Sequence, residues 1–202
     1  GIEKNTFLLF TSDNGPEGAG VNGGLTGGKH EFTEGGIRVP GIIEWPARIT
    51  KPAITSIPAG TIDLFPTIRE IIGAKDVAVD RPLDGMSLLP LFDGKWTSRP
   101  KPMGLGRVKA GRVVKDEKWL HGHTATGKAR TFKTESHFDP PASFSGNKGV
   151  WIDNDFKLLD GKLYNLKDDP KETKNLAKEM PERLQDMQKA LGAWQTSVAR
   201  SL

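Results

Sequence analysis

Residues 6–40, TFLLFTSDNGPEGAGVNGGLTGGKHEFTEGGIRVP, constrain the fold more than any other stretch of the chain. Phe7, Leu8, Leu9 and Phe10 form a short apolar run between polar residues. Such a run predicts a strand buried on both faces, as in a parallel sheet covered by helices. At its carboxyl end the polarity switches to Ser12, Asp13, Asn14 and Gly15, and beyond that edge is where open α/β sheets place their ligands. Asp13 and Asn14 offer a carboxylate and an amide oxygen, hard donors suited to Ca²⁺ or Mg²⁺, although Asp-Asn-Gly is also an ordinary turn sequence. Seven of the fourteen residues from 15 to 28 are glycine, and Lys29 follows. A glycine loop ending in lysine suggests a phosphate cradle, but His30 stands where GxxxxGK[ST] requires Ser or Thr, which argues against a nucleotide site.

The next segments carry more regular signals. Residues 41–45 read as a second apolar strand closed by Pro46. Residues 61–73, TIDLFPTIREIIG, predict a helix with Asp63 as cap and Pro66 in the first turn, where its missing N–H is not needed. Leu64, Ile68, Ile71 and Ile72 make its expected buried stripe, and Gly73 its left-handed end. A charge shift near residue 95 predicts a boundary between a unit over 1–94 and a smaller one over 95–202.

In the second unit, short strands are expected at 103–108, 112–115 and 118–120, followed by an irregular excursion over 121–148. His121 and His123 would share one face of a strand, but no third ligand stands at zinc-site spacing. Contact with substrate or solvent is left to them. Residues 149–159 and 162–165 read as two strands joined at Asp160 and Gly161. A calcium loop over 153–161 is rejected, because Lys157 occupies a ligand position. The last helix, from Pro181, spaces Leu184, Met187, Leu191, Trp194 and Val198 as a core stripe.

Taken in order, the apolar strand, T-S-D-N-G, the glycine loop, G-K-x4-E-G-G-x-R-V-P and a further apolar strand resemble the second half of a sulfatase of the alkaline-phosphatase superfamily, of the formylglycine-type, arylsulfatase-like kind. The likeness continues in the D-L-x-P-T helix (Asp63 to Thr67), in Asp84-Gly85-Met86-Ser87-Leu88-Leu89-Pro90-Leu91, and in the late L-Y-N-L-x-x-D-P-x-E-x-x-N-L segment, Leu163 to Leu176. It is weakest over 107–148. The resemblance implies an α/β fold: the C-terminal part of a mixed-sheet sulfatase domain over 1–94, then an α+β subdomain with antiparallel strands and a C-terminal helix. It further implies that Asp13 and Asn14 complete a Ca²⁺ site (Mg²⁺ demands stricter octahedral geometry) and that Lys29 contacts the sulfate. Glu34, Gly35, Gly36 and Arg38 would hold the Lys29 loop. His30 is atypical of the family and could face substrate or solvent.

The nucleophile such enzymes use, a formylglycine made from Cys or Ser in C/S-x-P-x-R, has no counterpart here, and the chain contains no cysteine. The expectation is therefore a C-terminal fragment whose partner is the N-terminal half of the same protein. A sulfated carbohydrate or aryl sulfate is the expected substrate, and a periplasmic or secreted location is implied by resemblance. A phosphodiesterase or phosphonate hydrolase of the same superfamily, or a non-catalytic glycan-binding relative, are the competing readings.

Charge adds one observation independent of resemblance. Residues 1–94 hold 8 Lys/Arg against 12 Asp/Glu, whereas 95–133 hold 11 against 2. A segment with net charge +9 attracts polyanions at long range. No helix-turn-helix, zinc-finger or RNA-binding aromatic pattern accompanies it; a solvated basic surface and a sulfated glycan, which fits the neighbouring motif better than nucleic acid does, are the two readings. No run of about eighteen apolar residues predicts a membrane span.

Overall fold

The computed structural model describes residues 1–74, 82–109, 112–115, 136–139, 143–144 and 149–200. Strand β1 (Leu8–Thr11) follows a 3₁₀ turn over Glu3–Asn5 and pairs antiparallel with β2 (Gly41–Glu44). The register sets Phe10 opposite Ile42 and Leu9 opposite Ile43. One face of this ribbon is covered: Phe7 meets Trp45 edge-on at 5.9 Å between ring centroids and lies 6.1 Å from Phe92. The other face is open, with Leu8 57%, Phe10 61% and Ile42 61% exposed. The expected strand buried on both faces in a parallel sheet is thus not what the chain forms. Among the described residues β1 has a single antiparallel partner and nothing lies over its outer face.

Helix α1 (Glu34–Ile37) is one turn long, and helix α2 (Leu64–Ile71) follows a 3₁₀ turn over Thr61–Asp63. The expected stripe of α2 is largely turned outward: Ile68 and Ile72 are exposed, whereas Thr67 and Asp63 are fully buried. The buried face is polar because it makes hydrogen bonds. Thr67 Oγ1 donates to Asp63 O and accepts the Leu88 N–H at 2.9 Å. Gly73, at φ +69°, ends the helix in the left-handed region as expected. A short helix α3 (Leu89–Phe92) completes this part.

The second part is built on a four-stranded antiparallel sheet in the order β10-β9-β8-β3, where β3 is Met103–Leu105, β8 Val150–Asp153, β9 Phe156–Leu159 and β10 Lys162–Asn165. The span 149–159 is two strands rather than one. Asn154, at φ +51°, makes with Asp155 a two-residue loop between β8 and β9, a left-handed conformation that asparagine tolerates. Asp160 and Gly161, both at positive φ, form the next loop, matching the expected hairpin. Two small ladders, β4 (Val108–Lys109) with β7 (Ser143–Phe144) and β5 (Arg112–Lys115) with β6 (Ser136–Asp139), place strands within the span expected to be irregular. The strand expected at 118–120 lies outside the described residues.

Helix α4 (Pro181–Arg200) packs Met187 and Leu191 onto Leu158 and Leu163, with Leu184 and Trp194 beside them. The apolar stripe read from the sequence does bind the core, and Gln195 is buried with it. On the opposite face Met103, Val150 and Ile152 pack with Phe32, Ile37 and Ile62 from the first part. The sheet is therefore a middle layer between α4 and the segment that carries the glycine loop.

Candidate functional site: the glycine loop and its supports

The glycine loop is fixed at its two ends and pinned from beneath. The Gly15 N–H donates to Gly36 O at 2.8 Å, and the Lys29 N–H to Pro16 O at 2.9 Å, so the loop leaves and returns at one place. The Gly35 N–H donates to Thr26 O at 2.7 Å, while Asn22 Nδ2 donates to the carbonyls of Leu25 and Gly27. A Cβ on Gly15 would lie 1.8 Å from Gly35 O, and one on Gly35 would lie 2.3 Å from Gly27 O. Only residues without a side chain permit backbones this close. The expected role of Glu34, Gly35 and Gly36 in holding the Lys29 loop therefore has a physical basis: α1 is the surface against which the loop is packed.

The charged support lies behind α1. Lys157 projects from β9 away from α4 and is fully buried, its Nζ 2.9 Å from Glu34 Oε1 and 2.8 Å from Glu172 Oε1. Glu172 Oε2 accepts the Glu34 N–H at 2.7 Å, and Arg38 reaches Glu34 Oε2 at 3.5 Å. Glu172 stands at φ +57°, in the left-handed region, within a turn tied by Asp169. Asp169 accepts the Thr173 hydroxyl at 2.9 Å and the Lys174 N–H at 2.8 Å. Burial raises the Asp169 pKa, but the hydrogen bonds from Lys174 and Thr173 outweigh it and hold the carboxyl below its ordinary range. Burial, with Glu172 and Asp169 nearby, pushes the Tyr164 phenol up. Thr26 adds a further tie by donating to Lys171 O.

A second buried pair joins the two parts. Arg99 Nη1 and Nη2 meet Asp63 Oδ2 and Oδ1 at 2.8 Å each, with both side chains fully buried. Asp63 also accepts the N–H groups of Gly60 and Met86. It stands at the N-cap position of α2, but its carboxylate turns to these partners rather than to the first-turn amides. Both ion networks, and the hydrogen bond from Trp194 Nε1 to Asp84 at 3.0 Å, cross the boundary expected at residue 95.

The predicted site residues lie as follows. Asp13 and Asn14 stand just past β1, Asp13 exposed and Asn14 half-buried. Ser12 Oγ reaches Asp13 Oδ1 at 3.5 Å and donates to Asn14 O at 2.9 Å. This leaves oxygen donors free to face a cation and fits a share of a Ca²⁺ shell. Among the described residues no three His, Cys, Asp or Glu side chains gather, so a cation here would need further ligands from elsewhere. Lys29 extends from the loop base to pair with Glu17 Oε2 at 2.8 Å, with 37% of its side chain exposed. His30 is exposed and holds φ +72°. Its carbonyl accepts a hydrogen bond from Arg107 Nη2. His121 and His123 lie outside the described residues.

Sequence reasoning placed Glu172 in the late motif without a role, and missed the roles of Lys157, Arg99 and Arg107. One signal was available: a lysine inside the otherwise apolar strand Phe156-Lys157-Leu158-Leu159 is costly to bury unless it is paired.

Residues 1–74 match the family model described as Sulfatase. Rat (Rattus norvegicus) steryl-sulfatase is 33% identical over 153 residues, covering 71% of this chain and 26% of that protein. Human (Homo sapiens) N-acetylgalactosamine-6-sulfatase is 33% identical over 152 residues, covering 72% of this chain and 29% of that one. The crystal structure of Ps i-CgsB in complex with k-i-k-neocarrahexaose superposes with a TM-score of 0.68 at 25% identity, over 96% of this chain and 37% of that one. The chain belongs to the sulfatase family, and it spans only between a quarter and a third of the length of these curated relatives.

Proposed function

We propose that this chain is the supporting part of a sulfate-ester hydrolase acting on sulfated carbohydrates outside the cytoplasm. In that reading Asp13 and Asn14 share in holding Ca²⁺, and Lys29 clamps the sulfate. The observation that carries it is the pinned loop: Gly36 of α1 holds Gly15, and the Lys29 N–H holds Pro16 O, which keeps the Asp13-Asn14 turn and the lysine at one base. Bound Ca²⁺ would offset charge on the sulfate oxygens. The Lys29 ammonium would stabilise the negative charge that grows on the ester during cleavage, and Glu17 holds it extended before substrate arrives.

The remaining chemistry, formylglycine included, is assigned to the rest of the full-length protein. The open faces of β1–β2 and α2, with Leu8, Phe10, Ile42, Phe65, Ile68 and Ile72 exposed, support a partner of that size. The carbohydrate assignment draws on the k-i-k-neocarrahexaose in complex with the structural relative, on the name of the N-acetylgalactosamine-6-sulfatase relative, and on the basic segment 95–133.

The test is hydrolysis by the full-length protein of a sulfated oligosaccharide and, in parallel, of a phosphodiester, with bound calcium measured for the native protein and for Asp13→Ala. The expected result is sulfate release, loss of calcium in the variant, and no turnover by residues 1–202 alone. Preference for the phosphodiester, or full calcium occupancy in Asp13→Ala, would overturn the assignment.

A further inference from the structure

His30 holds φ +72° although it is not glycine, a conformation that persists only where its surroundings enforce it. Two local hydrogen bonds flank it, Lys29 N–H to Pro16 O and Glu31 N–H to Gly28 O. The third restraint is not local. Arg107, 77 positions away, donates from Nη2 to the His30 carbonyl, and its guanidinium lies over the Phe32 ring at 5.6 Å from the centroid. Arg107 is itself aimed by its neighbours: it follows β3, and Gly106 before it is packed so tightly that a Cβ would lie 2.7 Å from the Phe144 ring. An exposed arginine with a free side chain gains little from one carbonyl. An arginine whose backbone is anchored and whose plane is stacked loses less entropy in making that bond.

We propose that Arg107 is a positioning residue for Lys29: by clasping the His30 carbonyl and Phe32 it locks the left-handed turn that sets the direction in which Lys29 leaves the loop. This rests on the reading of Lys29 as the sulfate clamp, and its test separates the two.

In the full-length protein, Arg107→Ala should raise amide hydrogen exchange in a peptide spanning residues 28–33 and leave exchange in α4 unchanged. It should lower kcat on a sulfated substrate about tenfold with KM within about twofold, because Lys29 acts chiefly in the transition state. In a Lys29→Ala background the further loss should vanish, since the two changes share one effect. Arg107→Lys, which keeps a donor but not the stacked plane, should recover only part of the protection. Unchanged exchange at 28–33 would overturn the proposal whatever the activity, as would a full tenfold loss on top of Lys29→Ala. Raised exchange at 28–33 in a protein whose turnover ignores Lys29→Ala would sustain the lock and instead remove the sulfate-clamp reading.

Discussion

The backbone N–H of Glu34 donates to Glu172 Oε2 at 2.7 Å across 138 positions of sequence, and Lys157 closes the same contact from the sheet side. Two carboxylates share one buried ammonium, so the cation and the anions are not equivalent. Removing Lys157 leaves two buried negative charges and, among the described residues, the half-exposed Arg38 paired to one of them. Removing one anion leaves a matched pair.

Lys157→Met should therefore destabilise the protein by about 3–5 kcal/mol, the usual cost of stripping one partner from a buried ion pair. Glu172→Gln, which keeps an acceptor for the Glu34 N–H, should cost clearly less. Urea unfolding of both variants checks the order; equal losses would mean that the three charges do not act as a unit.

Lys29→Ala should behave in the opposite way. Its partner Glu17 is well exposed, and exposed pairs contribute roughly 0–1 kcal/mol. Stability should barely change, while loss of a preorganised charged donor should cost roughly 3 kcal/mol in the transition state, about two orders of magnitude in kcat. Steady-state kinetics beside a melting curve reads both. A loss under about threefold would leave Lys29 as decoration on the loop.

Asp169 gives the late turn an acid limit. Its carboxyl is held below the ordinary 3.8. A depressed carboxylate contributes stability that is fully present above its unfolded pKa and is lost as pH falls through the lower folded one. Between about pH 2 and 5, stability should fall less steeply in Asp169→Asn than in the native protein. Urea midpoints across that range test it, and parallel curves would refute the assignment.

The basic segment makes a claim about substrate. Arg99, counted in that segment, is buried against Asp63, so not all eleven cations face solvent. If the rest line the entrance, kcat/KM of the full-length protein for a polysulfated glycan should fall steeply with added salt, since exposed charges are screened over about 8–10 Å at physiological strength. For a monosulfated aryl ester the slope should be shallow. Equal slopes would return the segment to an ordinary solvated surface.

What the sequence made legible follows from the range of each interaction. The α4 stripe, the Asp160-Gly161 hairpin and the Gly73 helix end are local signals, written within a few residues, and each is found in place. The β1 strand was legible as a strand. Its surroundings were not, because an apolar run states what must be covered without stating what covers it. The α2 stripe failed for the same reason, while Thr67 and Asp63 were buried by hydrogen bonds to residues 21 to 36 positions away. Family motifs marked Glu34 and Glu172 separately. Nothing in either motif shows that a lysine between them in sequence would join them.

The joint at Gly15 and Gly35 has a consequence for how this loop can change. Gly15, Gly28, Gly35 and Gly36 are packed against backbone, whereas Gly18, Gly23 and Gly24 have open space around them and are restricted only by their positive φ. The excursion from 17 to 25 is thus a bight of rope between two cleats: it can lengthen at its exposed crest by Gly18 and Ala19 while both ends stay tied. Insertions belong there, short of Asn22, whose side chain ties Leu25 and Gly27; they could reshape what the loop presents to solvent and leave the mooring of Lys29 as it was.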